Sequence, residues 1–392
     1  MRHTPMLASY GLRRARGRLA LLLFALVLAA CGQPAATPSA APTPAPATAP
    51  TAAAAATTDD YAQIIEASKS ESGLLLYSNM SEQNFSGIRE GFKAKYPWIA
   101  VESIDLTAFE AAERYNAEAA SNARTADMII GSAIDVWPAL IEAGALVDYT
   151  SPEEGNLPDY GKLGPGIYTV ATDPVGIIWN KALVTEPLTS FAAIAELVAA
   201  NPEMYKGKLT TYDIETNSAG FAINWSWLAA KGEAGWETIE ALGASAPVLQ
   251  SSAGNMIDSV ISGERLIGYF LISAPVQARF PEAEPVLGFA LPSDGVPVMT
   301  RAMAITSQAS SPNSAKLLLD YILSAEGQIA ATNGGLTAYR SDVVESAAIH
   351  LEKLTSGISP DNLIITRLDP AAADQATKDE FLARWKAAVG KP

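Results

Sequence analysis

The sequence predicts an α/β chain of two doubly wound lobes joined by a hinge, with a cleft between them. Two observations carry that reading. From Tyr61 onward, short apolar runs alternate with stretches of helical periodicity, the order of a sheet covered by helices. The alternation then occurs a second time over a similar length, without repetition of sequence.

In the first unit, Gly73 precedes a strand at 74–77. Phe85, Ile88 and Phe92 follow at helical spacing until Pro97. Residues 99–104 read as a strand, 109–123 as a helix and 127–130 as a buried strand ending in Gly131-Ser132. A helix over 133–143 closes at Gly144. In the second unit, 176–179, 208–212 and 266–271 read as strands, and 191–200, 218–230 and 256–262 as helices. Strands at 285–290 and 299–305 and a strongly apolar helix at 313–323 follow, and the tail from Asp342 to Trp385 reads as helical with one proline break. Lobe 1 is accordingly expected over 59–175 and 290–345, lobe 2 over 176–289, and C-terminal helices over 346–392. The chain crosses near 171–182 and returns near 285–292.

Charge and composition exclude several function classes. The 392 residues carry 27 Lys and Arg against 42 Asp and Glu, a net charge of -15. The basic residues form no stripe, which argues against nucleic-acid binding. Cys31 is the single cysteine, so no disulfide and no multi-cysteine zinc site can form within the chain. His3 and His350 are the two histidines, and a His-rich metal site is impossible. No Gly-x-Ser-x-Gly, His-Glu-x-x-His, Walker or Gly-x-Gly-x-x-Gly motif occurs. Carboxylate pairs abound, so a hydrolase built on them stays open.

The N-terminal segment reads as an export signal. Arg13, Arg14, Arg16 and Arg18 precede the apolar run 19–30, which is too short to span a bilayer comfortably. Leu28-Ala29-Ala30-Cys31 resembles the bacterial lipobox. That resemblance implies removal of 1–30 and a diacylglyceryl thioether on Cys31. Residues 31–58, rich in Pro, Ala and Thr, read as a tether holding the folded part off a membrane, with a reach on the order of 80 Å.

Small polar residues gather where strands give way to helices, the places where open α/β sheets hold ligands. They are Ser78 and Asn79 after the first strand, Ser132 after 127–130, Asn217 and Ser218 before the helix at 218, and Ser252 and Asn255 around another helix start. Helix N-termini suit anions, and Ser and Asn are equally the preferred caps there. Arg301 could pair with an anionic group or serve lobe packing. Trp179, Trp225 and Trp227 could stack on a ligand, but Trp225 and Trp227 stand two apart and cannot share one helix face.

Several motifs in order resemble the solute-binding proteins of ABC importers, family 1, of the type-2 periplasmic-binding fold and the ferric-iron and phosphonate kind. Leu76-Tyr77-Ser78 and Phe92-Lys93-Ala94-Lys95-Tyr96-Pro97 open the series. Ala126-Asp127-Met128-Ile129 with Gly131-Ser132, Gly144 to Tyr149, and Gly263-Glu264 continue it. Pro292 with Asp294-Gly295, Leu319 to Gln328, Gly335, and Arg340 with Asp342-Val343 complete it, so that the resemblance covers roughly 72–345. It implies a hinged protein that binds a small molecule in its cleft without cofactor or catalysis, works as a monomer and hands its ligand to an ABC permease. With the lipobox, it implies a place on the outer face of the cytoplasmic membrane or in the periplasm. The iron binders of the family commonly carry adjacent tyrosines after the Gly-Glu motif. Here Tyr269-Phe270 and Ile272-Ser273 stand there, and no Tyr-Tyr dipeptide exists. The expected ligand is therefore a small organic anion such as a phosphonate, phosphate ester or carboxylate. Ferric iron with Tyr269 as a ligand, a ligand sensor and a lipoprotein hydrolase are the alternatives.

Overall fold

The computed structural model describes residues 58–391. The expected signal segment, Cys31 and nearly all of the tether lie outside the described residues. The described part begins with α1 (Thr58–Ser68) and β1 (Leu74–Ser78), then α2 (Glu82–Lys95), β2 (Val101–Asp105), α3 (Ala108–Ala120), β3 (Met128–Gly131) and α4 (Trp137–Glu142). A short β4 (Lys162–Gly164) leads into the long β5 (Ile167–Asn180). The second unit holds α5 (Phe191–Ala200), the one-turn α6 (Pro202–Tyr205), β6 (Leu209–Tyr212), α7 (Ser218–Gly243), β7 (Val248–Gln250), α8 (Ala253–Ile261), β8 (Ile267–Ile272), α9 (Ser273–Ala283) and β9 (Leu287–Ala290). The chain returns through β10 (Val296–Ile305) to α10 (Pro312–Leu323) and α11 (Ala325–Asn333). The tail carries α12 (Leu351–Leu354), β11 (Leu363–Ile365), α13 (Pro370–Ala373) and α14 (Gln375–Val389).

The strands join in the order β2-β1-β3-β10-β5-β8-β6-β7, with β4 and β9 also paired to β5 and β11 to β10. β1 lies parallel between β2 and β3, and its side chains point alternately into two cores. Leu74 and Leu76 pack with Phe85, Ile88 and Phe92, whereas Leu75 and Tyr77 pack with Ala111 and Tyr115. Helices cover both faces, which is why this strand is apolar throughout instead of alternating. A further core gathers Ile177, Leu209, Phe221, Trp227 and Phe270 from the second unit and Trp385 from α14.

β5 runs through both halves of the sheet. Its residues up to Pro174 pair antiparallel with β10, and from Val175 on they pair with β8 and β9. Pro174 has no N–H to give to a ladder, and it stands where the partner changes. The Asp173-Pro174 pair and Gly176 mask this strand in the sequence, which is why only four of its residues read as strand. α9 is likewise hidden, because it contains Pro275 and Pro281. Pro275 is tolerated in the first turn, where no N–H is needed. The helix expected from 133 begins at Trp137, after a turn at 134–136. The tail, expected to be helical, also contains β11, which pairs parallel with Val296–Val298 of β10. No helix among the described residues is long and apolar enough to cross a membrane.

Two buried aspartates brace the first half. Asp127 accepts from the backbone amides of Leu75 (2.8 Å) and Ser311 (2.8 Å), which ties β1 to the start of α10. Asp320 accepts from Tyr149 Oη (2.8 Å) and Ser151 Oγ (2.6 Å). Burial pushes the Asp320 carboxyl up to about 6, against the opposing pull of the Ser151 and Tyr149 hydrogen bonds. A folded-state value above the unfolded one means that the carboxyl's contribution is fully present below about pH 4 and is lost as pH rises to about 6. The amount is roughly 3 kcal/mol. Asp320→Asn should therefore compare most favourably with the wild type above pH 6 and least favourably near pH 4, in guanidinium unfolding at a series of pH values. A difference that stayed constant across that range would contradict the shift.

Candidate functional site

The β5–β10 register builds the floor of the site. Asp173 lies opposite Met299, and Arg301 lies opposite Ala171, so the two are diagonal neighbours. Such diagonal pairs are within reach of long side chains. An irregularity between Arg301 and Ala302 shifts the register at that point, and bulges of this kind re-aim the side chain beside them. Arg301 Nη1 donates to Asn79 Oδ1 (2.5 Å), and Nη2 stands 3.9 Å from Asp173 Oδ2. Asp173 is 0% exposed, and neither of its oxygens has a hydrogen-bond partner among the described residues. Arg301 Nε has none either. Burial raises the Asp173 carboxyl above its ordinary range, while Arg301 opposes the rise. The Thr337 hydroxyl opposes it as well, from close by but outside hydrogen-bonding geometry. The same burial lowers the Arg301 guanidinium, against the pull of Asp173.

Beside this pair opens a cavity of about 550 Å³, lined among others by Ser81, Asn84, Asp173, Gln277 and Arg301. Ile272, Ala274 and Pro275, where β8 turns into α9, form another wall. No side chain caps the start of α9. The Ser273 hydroxyl, on its first residue, is buried and unpartnered.

A second cavity, of about 660 Å³, is lined by Asn79, Phe109 and Asp135 from one half and by Asn217, Ser218 and Lys378 from the other. Lys378, on α14, reaches Asp135 Oδ2 at 2.5 Å and lies 4.9 Å from the centre of the Phe221 ring. Asn79 connects the two cavities. It lines the second, holds Arg301 of the first, and donates to Ser132 Oγ (3.0 Å).

The structure distributes the residues singled out in the sequence unevenly. Asn79, Asn217, Ser218 and Arg301 line cavities. Asn217 also caps α7, accepting from Gly220 N (2.6 Å) and donating to Ser251 O (2.9 Å), so both ends of its amide are engaged. Ser132 stands behind Asn79, and the buried Ser78 hydroxyl accepts from Met80 N (3.1 Å). Ser252 caps α8 through Asn255 N (3.3 Å), Asn255 itself is exposed, and both lie outside the two cavity walls. Tyr269 is buried in the core with its hydroxyl unpartnered, and burial drives its phenol upward, away from the phenolate that iron would want. Both Trp225 and Trp227 are buried in the core. His350 is buried with Nε2 at 2.9 Å from Arg340 O and Nδ1 accepting from Glu352 N. Among the described residues, no group of three or more His, Cys, Asp and Glu is placed to hold a metal ion.

Sequence reasoning missed Asp173, Phe109 and Lys378. An acid directly before proline inside an apolar stretch was a visible signal for the first. Lys378 offered no signal, because its partner Asp135 is 243 residues away. Two substitutions separate structural from ligand-facing roles. Ser252→Ala should cost about 1 kcal/mol as a lost cap. Tyr269→Phe should leave stability equal or higher, because the hydroxyl it removes is buried without a partner. Denaturant unfolding checks both, and a large loss for Tyr269→Phe would reveal a partner for that hydroxyl.

Residues 88–354 match the model of the family described as bacterial extracellular solute-binding protein. No curated protein matches the chain. Solved structures share its fold. The substrate-binding protein of the ABC transporter from Agrobacterium tumefaciens superposes with a TM-score of 0.72 at 23% identity, covering 82% of this chain and 95% of that one. The periplasmic binding protein AfuA from Actinobacillus pleuropneumoniae, with exogenous fructose-6-phosphate bound, gives 0.66 at 18% identity over 82% and 99%. Iron-bound HitA from Pseudomonas aeruginosa gives 0.62 at 16% identity over 81% and 99%.

Proposed function

We infer that this chain, which belongs to the bacterial extracellular solute-binding protein family, is the binding component of an ABC importer and captures a small organic anion between its lobes. The observation that carries the anion is the wall of the first cavity, where Arg301 and the uncapped start of α9 share one space. A guanidinium and the unbonded backbone N–H groups of Ser273 and Ala274 both favour negative charge, Pro275 offering none. A cavity of about 550 Å³ suits a ligand of metabolite size. The fold relatives bind a sugar phosphate in one case and iron in another, and the buried phenol of Tyr269 favours the former kind of guest.

Capture works by differential contact. The two cavities draw walls from both halves of the sheet, so a bound guest stabilises the closed arrangement and shifts the hinge towards it. The connection through Pro174 in β5, where strand partners change, is the natural pivot. The closed form then presents its ligand to a membrane permease. The lipobox-like Cys31 and the tether after it keep a monomeric binder at the membrane surface.

Phosphonates, phosphate esters and small carboxylates should raise the melting temperature of the purified protein, by an amount that grows with ligand concentration. Arg301→Ala should weaken that binding about ten-fold or more. A response to ferric citrate alone would overturn the organic-anion reading. Separately, Cys31→Ala should move the protein from the membrane to the soluble fraction on fractionation, and an unchanged distribution would remove the lipid anchor.

A further inference from the structure

We infer that the ligand is a zwitterion, whose ammonium group faces Asp173 while its anionic group faces Arg301 and the start of α9. The inference rests on the organic-anion reading above and narrows it to one chemical class. Its starting point is the environment of Asp173. Asp173 lines the first cavity and is 0% exposed, and neither oxygen of its carboxyl has a hydrogen-bond partner among the described residues. Natural proteins rarely leave such a group bare, because an unpaired buried charge is expensive.

The neighbours do not answer it. Arg301 is the nearest cation, but its Nη1 is committed to Asn79 and its Nη2 remains 3.9 Å from the carboxylate. Arg279, the other arginine on the cavity wall, is half exposed and faces Asp258 at 3.3 Å. The hydroxyls of Thr172, Thr337 and Ser273 are themselves buried and unpartnered. None of these groups is hydrogen-bonded to the Asp173 carboxyl, so a donor that enters with the guest would complete it.

Charge balance decides what kind of complement. With Asp173 ionised, the pair contributes no net charge to the buried floor, and a cation beside Asp173 would hold it in that form against the upward push of burial. A guest with an anionic group alone would set a second negative charge near a carboxylate already short of compensation. A hydroxyl would supply a donor without neutralising anything. An ammonium supplies both charge and up to three donors, and it leaves Arg301 and the α9 start for the anionic end. An aminocarboxylate guest then brings no net charge to the floor, and an aminoalkyl phosphate brings one negative charge fewer than the phosphate ester alone, which lowers the desolvation cost.

Matched ligand pairs test this by isothermal titration of the full-length protein. Phosphoethanolamine is compared with ethyl phosphate, and β-alanine with propionate. The ammonium-bearing member of at least one pair should bind about ten-fold tighter or more. Asp173→Asn should shrink that preference to within about three-fold. The wild-type pairs stand as a test even if the variant fails to fold. Ethyl phosphate and propionate binding as tightly as their ammonium partners would overturn the inference and leave the organic-anion reading intact. So would glycerol phosphate, which offers hydroxyls in place of the ammonium, binding tighter than phosphoethanolamine. Absence of binding across the whole set would overturn both.

Discussion

The antiparallel pairing of β5 with β10 is the constraint on which the rest of the molecule depends. These two long strands are buried along their whole lengths and run from one half of the sheet towards the other. Their register sets Asp173 and Arg301 on one diagonal at the floor of the first cavity. The same pairing ends at Pro174, where β8 and β9 take over as partners of β5. The floor of the first cavity and the change of strand partner thus fall on neighbouring residues of one strand.

Three buried aspartates show how differently one side chain can be used. Asp127 receives two backbone amides, and it serves as a brace between β1 and α10. Asp320 receives two hydroxyls, which is enough to hold it in place but not to cancel the cost of burial. Asp173 receives none. Structural carboxylates are completed by the chain that contains them. An incomplete one on a cavity wall marks the place where the chain requires something from outside.

The C-terminal helix α14 changes what the second half can do. α7 would bury one face against the sheet and leave Trp225 exposed on another. Instead, Phe381 of α14 packs against Trp225 at 4.8 Å between ring centres, and Asp369 accepts from the indole N–H (2.8 Å). The same helix sends Lys378 across to Asp135. This segment lies beyond the family-matched residues 88–354, yet it lines the second cavity and covers a core.

The sequence by itself determined the alternation of strands and helices, because apolar runs and helical periodicity are local properties of the chain. It also marked the polar strand ends, where Asn79, Asn217 and Ser218 meet at one cavity. Residues whose partners are local remained ambiguous, since a cap and a ligand contact ask for the same side chain. Asn217 and Ser252 both prove to serve as caps, and only the former also lines a cavity. What the tertiary structure alone decided were pairings over long sequence separations. The diagonal of Asp173 with Arg301, the reach of Lys378 to Asp135 and the burial of both Trp225 and Trp227 depend on strand register and helix docking. No local pattern carries those quantities, because they exist only once distant segments have packed.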